Sequence, residues 1–430
     1  MPAPPANLDI DGRLRETGPM SRWVMFFIVA ALFCIPVAAH AAGDDIGNGS
    51  WQGLEDFSRG EFTAQARPRF NRIAEDDKPD RAQGGTYRLL AGWRSGPVAG
   101  ARLTIEGVNT GFIGHKSFND DGAQFATSEY PLLPDPRYTG LNQLFVEAKR
   151  DTWRVKAGRQ VVRLDNQRWV SDNDFRQVPQ VFDGVRAFYT GMPDTELEVS
   201  WFRKQRTTSG ELEDLRLSVL RAAWNPWPDQ SLTAYGIFHD QPVNGAFTGF
   251  ANSSYRVAGL RFEGTLSMRP GLDAVYAAEV AQQKPYAGGD SRIDARYWRL
   301  GGGVSSARLT LRADYEVKGS NGGRYGVQTP LTDFYAWNGW TLHFFNTPFQ
   351  GLRDGWVTLR ALALPSLTAY VEGHRFHSDV GGLDFGREVD LGLTYEITPQ
   401  TLVRLQHARY DGATDGNDVR KLWLTLTWTY

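Results

Sequence analysis

The chain has 430 residues, with 47 Lys and Arg against 49 Asp and Glu for a formal net charge of −2, and it contains 46 Gly, 14 Trp, 16 Tyr and 24 Phe. There is no basic excess of the kind that nucleic-acid binding draws on, although opposite charges can still be segregated within a fold. Cys34 is the only cysteine, which excludes a disulfide within the chain.

From the N-terminus, Arg22 precedes an apolar run over residues 23–38, and Ala39, His40 and Ala41 then form a small-x-small cleavage site. This predicts a leader over residues 1–41, with translation starting at Met20 as an option, because the first nineteen residues are Pro-rich and unlike a signal n-region. Phe33 before Cys34 argues against lipid attachment. The expected domains are the leader (1–41), a periplasmic N-terminal segment (42–60) and a single barrel (61–430). Beyond the leader no run approaches the roughly 18 apolar residues that a membrane helix needs. An exported chain of this composition, with glycine for tight turns and aromatics for interfacial girdles, reads as a closed barrel.

Stretches of about 9 to 13 residues that alternate apolar and polar recur from Phe62 onward. Short connectors, most with Pro or Gly, are expected at 95–100, 150–151, 190–194, 225–230, 267–271, 305–306, 364–366 and 398–400. Long ones are expected near 74–85, 110–141, 161–182, 240–253, 283–291 and 319–354, with lesser ones near 207–213, 378–384 and 411–418. Taking 319–354 as a single outside loop makes short and long connectors alternate without exception. That gives an all-β, transmembrane antiparallel barrel of about 18 strands, with the short turns on the periplasmic side and no separate plug.

The alternation also assigns faces. In residues 308–318, Leu309, Leu311, Ala313, Tyr315 and Val317 face one way and Thr310, Arg312, Asp314, Glu316 and Lys318 the other. Charge is costly in lipid, so the second face must line the lumen. The same reasoning places Arg67, Arg69, Arg88, Arg102, Glu106, Glu147, Lys149, Arg154, Lys156, Arg186, Arg360, Glu372 and Asp390 inside, with arginines concentrated on the first six strands. Cross-strand bracing accounts for any one of these charges. As a group, guanidinium forks in a wet bore make a ladder of weak carboxylate sites, which is what conduction of an anion needs. The chain closes on residues 420–430, where Leu422, Leu424, Leu426, Trp428 and Tyr430 share a lipid face ending on an aromatic. Such an end looks like the insertion signal of bacterial outer-membrane barrels.

Two connector segments carry a more specific pattern. Residues 158–184 contain GRQ, DN-x-R, RQ and FDG elements through Gly158, Arg159, Gln160, Asp165, Asn166, Arg168, Arg176, Gln177, Phe182, Asp183 and Gly184. Residues 326–355 contain QTPL, NGW, TP and GL-x-D elements through Gln328, Thr329, Pro330, Leu331, Asn338, Gly339, Trp340, Thr347, Pro348, Gly351, Leu352 and Asp354. Both resemble the bacterial alginate export family of outer-membrane barrels. The resemblance implies an eighteen-stranded channel in which inward loops and an arginine-rich constriction pass an anionic polysaccharide, with no cofactor, metal or covalent step. It places Arg159, Asp165, Asn166, Arg168, Arg176 and Asp183 at that constriction. The chain departs from the founding exporter, which has a long turn before its last hairpin, by having only the short 398–400 turn there.

The 110–141 connector, with Gly111, Gly114, Gly122, acids and three prolines, is expected to be an outer gate. The aromatic residues of 319–354 are expected mainly to pack against the barrel rim. The alternative function is a porin for small acidic solutes. A lipid-surface enzyme would need a nucleophile motif, and His239, His343, His374, His377 and His407 are not part of one. The expected partners are an anionic polysaccharide or acidic solute, outer-membrane lipid, the barrel-assembly machinery and periplasmic export components, for a monomer in the outer membrane of a Gram-negative bacterium.

Overall fold

The computed structural model describes residues 56–120, 128–241, 249–414 and 416–430. The expected leader and most of the 42–60 segment lie outside the described residues. So do Asp121 and Gly122 of the expected gate.

Strands form where residues alternate between two faces, and many stop where Pro, Gly or Asp opens a turn, as β10 does before Pro270 and β14 before Pro365. The strands are β1 (Glu61–Glu75), β2 (Ala82–Arg94), β3 (Ala101–Ser117), β4 (Tyr138–Arg150), β5 (Trp153–Gln160) and β6 (Val181–Met192). There follow β7 (Thr195–Arg206), β8 (Leu212–Trp227), β9 (Gln230–Asp240), β10 (Tyr255–Arg269), β11 (Leu272–Pro285) and β12 (Ala295–Ser305). The last six are β13 (Leu309–Lys318), β14 (Leu352–Leu364), β15 (Leu367–His377), β16 (Asp384–Thr398), β17 (Thr401–Gly412) and β18 (Val419–Thr429).

Every strand pairs antiparallel with its sequence neighbours, and β1 also pairs with β18, Gln65 opposite Thr429 and Glu75 opposite Val419. The eighteen-stranded sheet is therefore closed and has no free edge. That is the condition for a sheet to sit in lipid, where an unpaired backbone amide has no water to bond. The connectors follow the expected succession except at 95–100, which at six residues is as long as 76–81 and longer than 207–211. Most short turns reduce to two or three residues, such as 193–194, 228–229 and 399–400.

The alternation sets the two faces. On β18, Lys421, Trp423 and Thr425 are buried inside, while Leu424, Leu426 and Trp428 stay 39–47% exposed on the outer wall. On β13, Leu309, Leu311 and Tyr315 face out, and Asp314, Glu316 and Lys318 are buried within. Several expected bounds shift. The first long connector shrinks from 74–85 to 76–81, and β3 and β8 run to 17 and 16 residues, because hairpins continue pairing beyond the apolar layer.

Besides the expected Arg312 and Arg360, further inward arginines lie beyond the first six strands. Arg221, Arg261 and Arg299, on β8, β10 and β12, all pair with buried carboxylates of the interior, and Arg206 at the end of β7 is buried against Pro179 of the β5–β6 loop.

Leu424 lies mid-strand on the lipid face, so Leu424→Arg is expected to destabilise the barrel by about 2–4 kcal/mol. Denaturant unfolding in lipid vesicles measures this.

Candidate functional site

Two long loops fold into the lumen and meet there. The first, residues 161–180 between β5 and β6, is built from tight turns. Asp165, Gln167 and Asn173 take positive φ of 51°, 61° and 50°, and the Asn166 side chain accepts from the Arg168 amide at 3.1 Å. Asp and Asn tolerate this backbone and supply the local hydrogen bonds that hold it.

One end of this loop is tied to β1 and β2. Arg67 donates to the Asp174 carbonyl at 2.7 Å and to Gln177 Oε1 at 3.0 Å, and Arg88 donates to Asp174 Oδ1 at 2.8 Å. The other end is tied across the bore to β8–β13. Asp165 pairs with Arg221 at 2.6 Å and Arg261 at 3.1 Å, Asn166 and Trp169 donate to Glu279 at 2.9 and 3.1 Å, and Arg168 pairs with Glu316 at 2.7 Å.

The second loop, residues 319–351 between β13 and β14, docks on β14–β16 and β11. Asn338 donates to Glu316 and Asp354 at 2.8 and 3.0 Å. The Trp340 amide donates to Asp390 at 3.1 Å and the Thr341 amide to Glu388 at 2.7 Å. Gly339, at φ +84°, lies so close that a Cβ would stand 2.4 Å from the Glu388 carboxyl. Gln328 accepts from Thr347 and donates to its carbonyl, closing the loop between Pro330 and Pro348, and its own amide donates to Gln283 of β11. Gly351, at φ +75°, lets the chain turn back into β14 beside the Lys318 carbonyl.

The loops clasp each other. Ser171 N donates to Leu331 O at 2.8 Å, Phe334 N donates to Asn173 Oδ1 at 3.1 Å, and Phe175 stacks on Tyr335 with centroids 3.5 Å apart. Beneath them Trp340 stacks on Tyr370 of the inner wall. The loop aromatics therefore pack inside the bore and not only at the rim. The described part of the 118–137 connector joins the assembly through Asp135, which accepts from the Gln177 amide at 3.0 Å and pairs with Arg69 at 3.8 Å.

The sequence-selected arginines thus divide into three groups. Arg67, Arg69, Arg88 and Arg168 are buried in the loop contacts, and Arg176 packs beside Tyr335. Arg159 and Asp183 correct the expectation that they line the constriction. Gln160 and Phe182 next to them are fully buried inside, so the alternation turns Arg159 and Asp183 to the outer face, where they form a two-point pair at 2.7 Å. The third group comprises Arg102, Arg154, Arg186, Arg312 and Arg360, which project inward on the short-turn side of the loops. Arg186 pairs with Glu198 and Arg312 with Asp314. Among the described residues, Arg102 and Arg360 have no carboxylate within ion-pair distance. Arg404 of β17, exposed on the same inner face, is a residue the sequence reading missed. Its flanking inner positions are Gln406, Ala408 and Tyr410, too mixed to mark a polar face.

His374 lies between two acids, Nδ1 at 2.9 Å from Asp354 and Nε2 at 3.0 Å from Glu372, so both ring nitrogens face carboxylate oxygens. Glu372, His374 and Asp390 offer ligand atoms within 4.8 Å of one another. Here the imidazole already joins the wall to the acids that hold the second loop.

Among the loop carboxylates, burial pushes Asp172 up despite its pair with Arg163, and burial also raises Asp333. Asp174 goes the other way: burial opposes its charge, but Arg88 and Arg67 outweigh it and hold the carboxyl well below the usual range.

The sequence signature described as alginate export matches residues 115–334, just over half of the chain. Among solved structures, the chain is similar to Pseudomonas aeruginosa OccK9 (OpdG), with a TM-score of 0.68 and 16% identity over 86% of this chain and 98% of that one. It is similar also to OpdK with vanillate from the same organism, with a TM-score of 0.67 and 14% identity over 87% and 99% of the two chains. OpdL gives 0.65 and 14% over 86% and 99%. At these identities the likeness concerns the fold. Compared with curated protein sequences, the chain gives no match.

Two outcomes follow from the docking. Gly339→Ala is expected to free the second loop, through a left-handed backbone costing about 1–2 kcal/mol plus the clash with Glu388, and to raise single-channel conductance. As pH falls, the Asp174 anchor persists until its lowered value is reached, while Asp172 and Asp333 take up protons early and lose the penalty of buried charge. Conductance should therefore stay level or fall between pH 7 and about 4.5, whereas opening in that window would contradict this account.

Proposed function

The chain belongs to the alginate export family of outer-membrane β-barrels, and from that premise we propose that it passes an anionic polysaccharide, alginate-like in charge, as an extended strand through the gap its two inward loops leave. That it is a channel in the outer membrane follows from the family and the barrel. The cargo is the proposal. The observation that carries it is the clasp of two loops inside the barrel, the first tied to β1–β2 and β8–β13 and the second to β11 and β13–β16. In this reading the clasp leaves a slot in a wide barrel, with inward guanidinium groups at Arg102, Arg360 and Arg404 on the side from which a periplasmic polymer would enter.

Guanidinium forks bind passing carboxylates weakly and in series, so a polyuronate exchanges one site for the next without a deep trap. The buried arginines serve differently. Arg67, Arg88 and Arg168 hold the loops in place, so their contribution to selectivity is the width of the slot. Passage needs no cofactor and no covalent step in this scheme. The barrel works as a monomer and receives its cargo from periplasmic export components, after insertion by the barrel-assembly machinery.

A second reading is a porin for small acidic solutes, favoured by the likeness to OpdK, whose structure holds vanillate. The two separate in a planar bilayer under a salt gradient, with and without polymannuronate on one side. Anion preference with polymer block supports the export channel. Cation preference, or indifference to the polymer, favours the small-solute porin. Arg102→Gln together with Arg360→Gln is expected to lower anion preference, while Arg159→Gln on the outer face should leave the reversal potential unchanged.

A further inference from the structure

At the long-loop end of the barrel, six consecutive strands each present one exposed arginine on the outer face. They are Arg353, Arg375, Arg387, Arg409 and Arg420 on β14 to β18, and Arg72 on β1, which closes against β18. Each is flanked on both sides by buried residues, so the strand alternation turns all six outward. Arg375 stands directly opposite Arg387, and Arg409 directly opposite Arg420. Like charges facing across a ladder repel and ordinarily weaken a sheet.

Nearby carboxylates compensate only part of this charge. Asp379 pairs with Arg353 at 3.0 Å, Asp384 pairs with Arg375, and Asp411 is shared between Arg387 at 3.3 Å and Arg409 at 2.7 Å. Among the described residues, Arg72 and Arg420 have no ion pair. Among the described residues the six arginines thus pair with three carboxylates, and Asp418 adds a fourth near Arg409. Among the described residues, the opposite end of the barrel shows no such row. There the outer face ends on Phe62, Leu364, Tyr395, Ile397, Trp428 and Tyr430, all exposed and none with a basic side chain.

Two outer positions below the arginines the wall is apolar, with Val357, Val371, Leu391, Leu405 and Leu424 each 41% exposed or more; Gly355, Gly373, Val389, His407 and Leu422 lie between. A cationic row at the water boundary above an apolar wall is complementary to an amphiphile with phosphate at the head and acyl chains below. Guanidinium matches phosphate with two parallel hydrogen bonds, and opposed arginines become favourable once an anion lies between them.

We propose that this row is a docking site for a phosphorylated, multiply acylated glycolipid of the outer leaflet. The bound lipid neutralises the excess charge and thereby fixes the depth of this half of the barrel in the membrane. The proposal rests on the outer-membrane barrel and is independent of the cargo.

The test uses the full barrel in detergent. Native mass spectrometry would compare retention of a bisphosphorylated hexa-acyl glycolipid with that of the same lipid after removal of its phosphates. The wild type is expected to hold the phosphorylated form about tenfold or more tightly. The triple variant Arg387→Gln, Arg409→Gln, Arg420→Gln should lose that preference while keeping the heat-modifiable gel shift of a folded barrel, and the corresponding triple Lys variant should recover part of it. If the triple variant does not fold, Arg420→Gln alone should lower the preference several-fold. Equal retention of both lipids by the wild type would overturn the site, as would an unchanged preference in the Gln variants. So would displacement of the lipid by phosphate-free polyuronate, which would mark the row as a landing surface for polymer.

Discussion

Nothing in the apolar layer of a membrane satisfies an unpaired backbone amide, and this constraint underlies the rest of the molecule. Pairing of β1 with β18 removes the last sheet edge. Closure with eighteen strands makes a bore too wide for wall side chains alone to fill. The two inward loops and their anchors occupy that space.

The loops enter the bore with a heavy load of charge, and the wall answers it residue by residue. Arg168 and Glu316 are each about 1% exposed and bonded to each other and to Asn338. A buried pair like this adds little net stability, because desolvation offsets much of the attraction, yet removing one partner leaves the other stranded at several kcal/mol. Such pairs work best as registration devices. They permit few docked arrangements of the loops.

The same packing explains where the sequence was hard to read. In an ordinary wide barrel the inner face is polar. Here β8 to β12 turn Leu217, Val219, Ile237, Val257 and Tyr297 inward, fully or nearly buried against Val162, Leu164, Trp169 and Val170 of the first loop. The apolar-out, polar-in pattern is blurred on those strands, and Arg221, Arg261 and Arg299 escaped notice among apolar neighbours. β13 and β18 are cleaner, and their faces were assigned correctly from alternation alone. Arg159 and Asp183 were misplaced for a different reason. They belong to motif elements that straddle the loop boundary, and the decision between bore and outer wall rests on a one-residue parity set by Gly158 and Gly184 in the ladder.

What the sequence by itself determined is the class of object: an even set of alternating strands, short and long turns in succession, an aromatic-ended closing strand and two family motifs. These are local or counted properties, and the backbone geometry of a strand translates them directly into faces and turns. The tertiary structure alone decided which charges meet. Asp165 finds Arg221 and Arg261, Arg168 finds Glu316, and Arg72 joins the arginines of β14 to β18 only when the chain's two ends pair. Those partners lie tens to hundreds of residues apart. Their encounter depends on barrel closure and on how deeply each loop folds inward, and neither leaves a periodic trace in the chain.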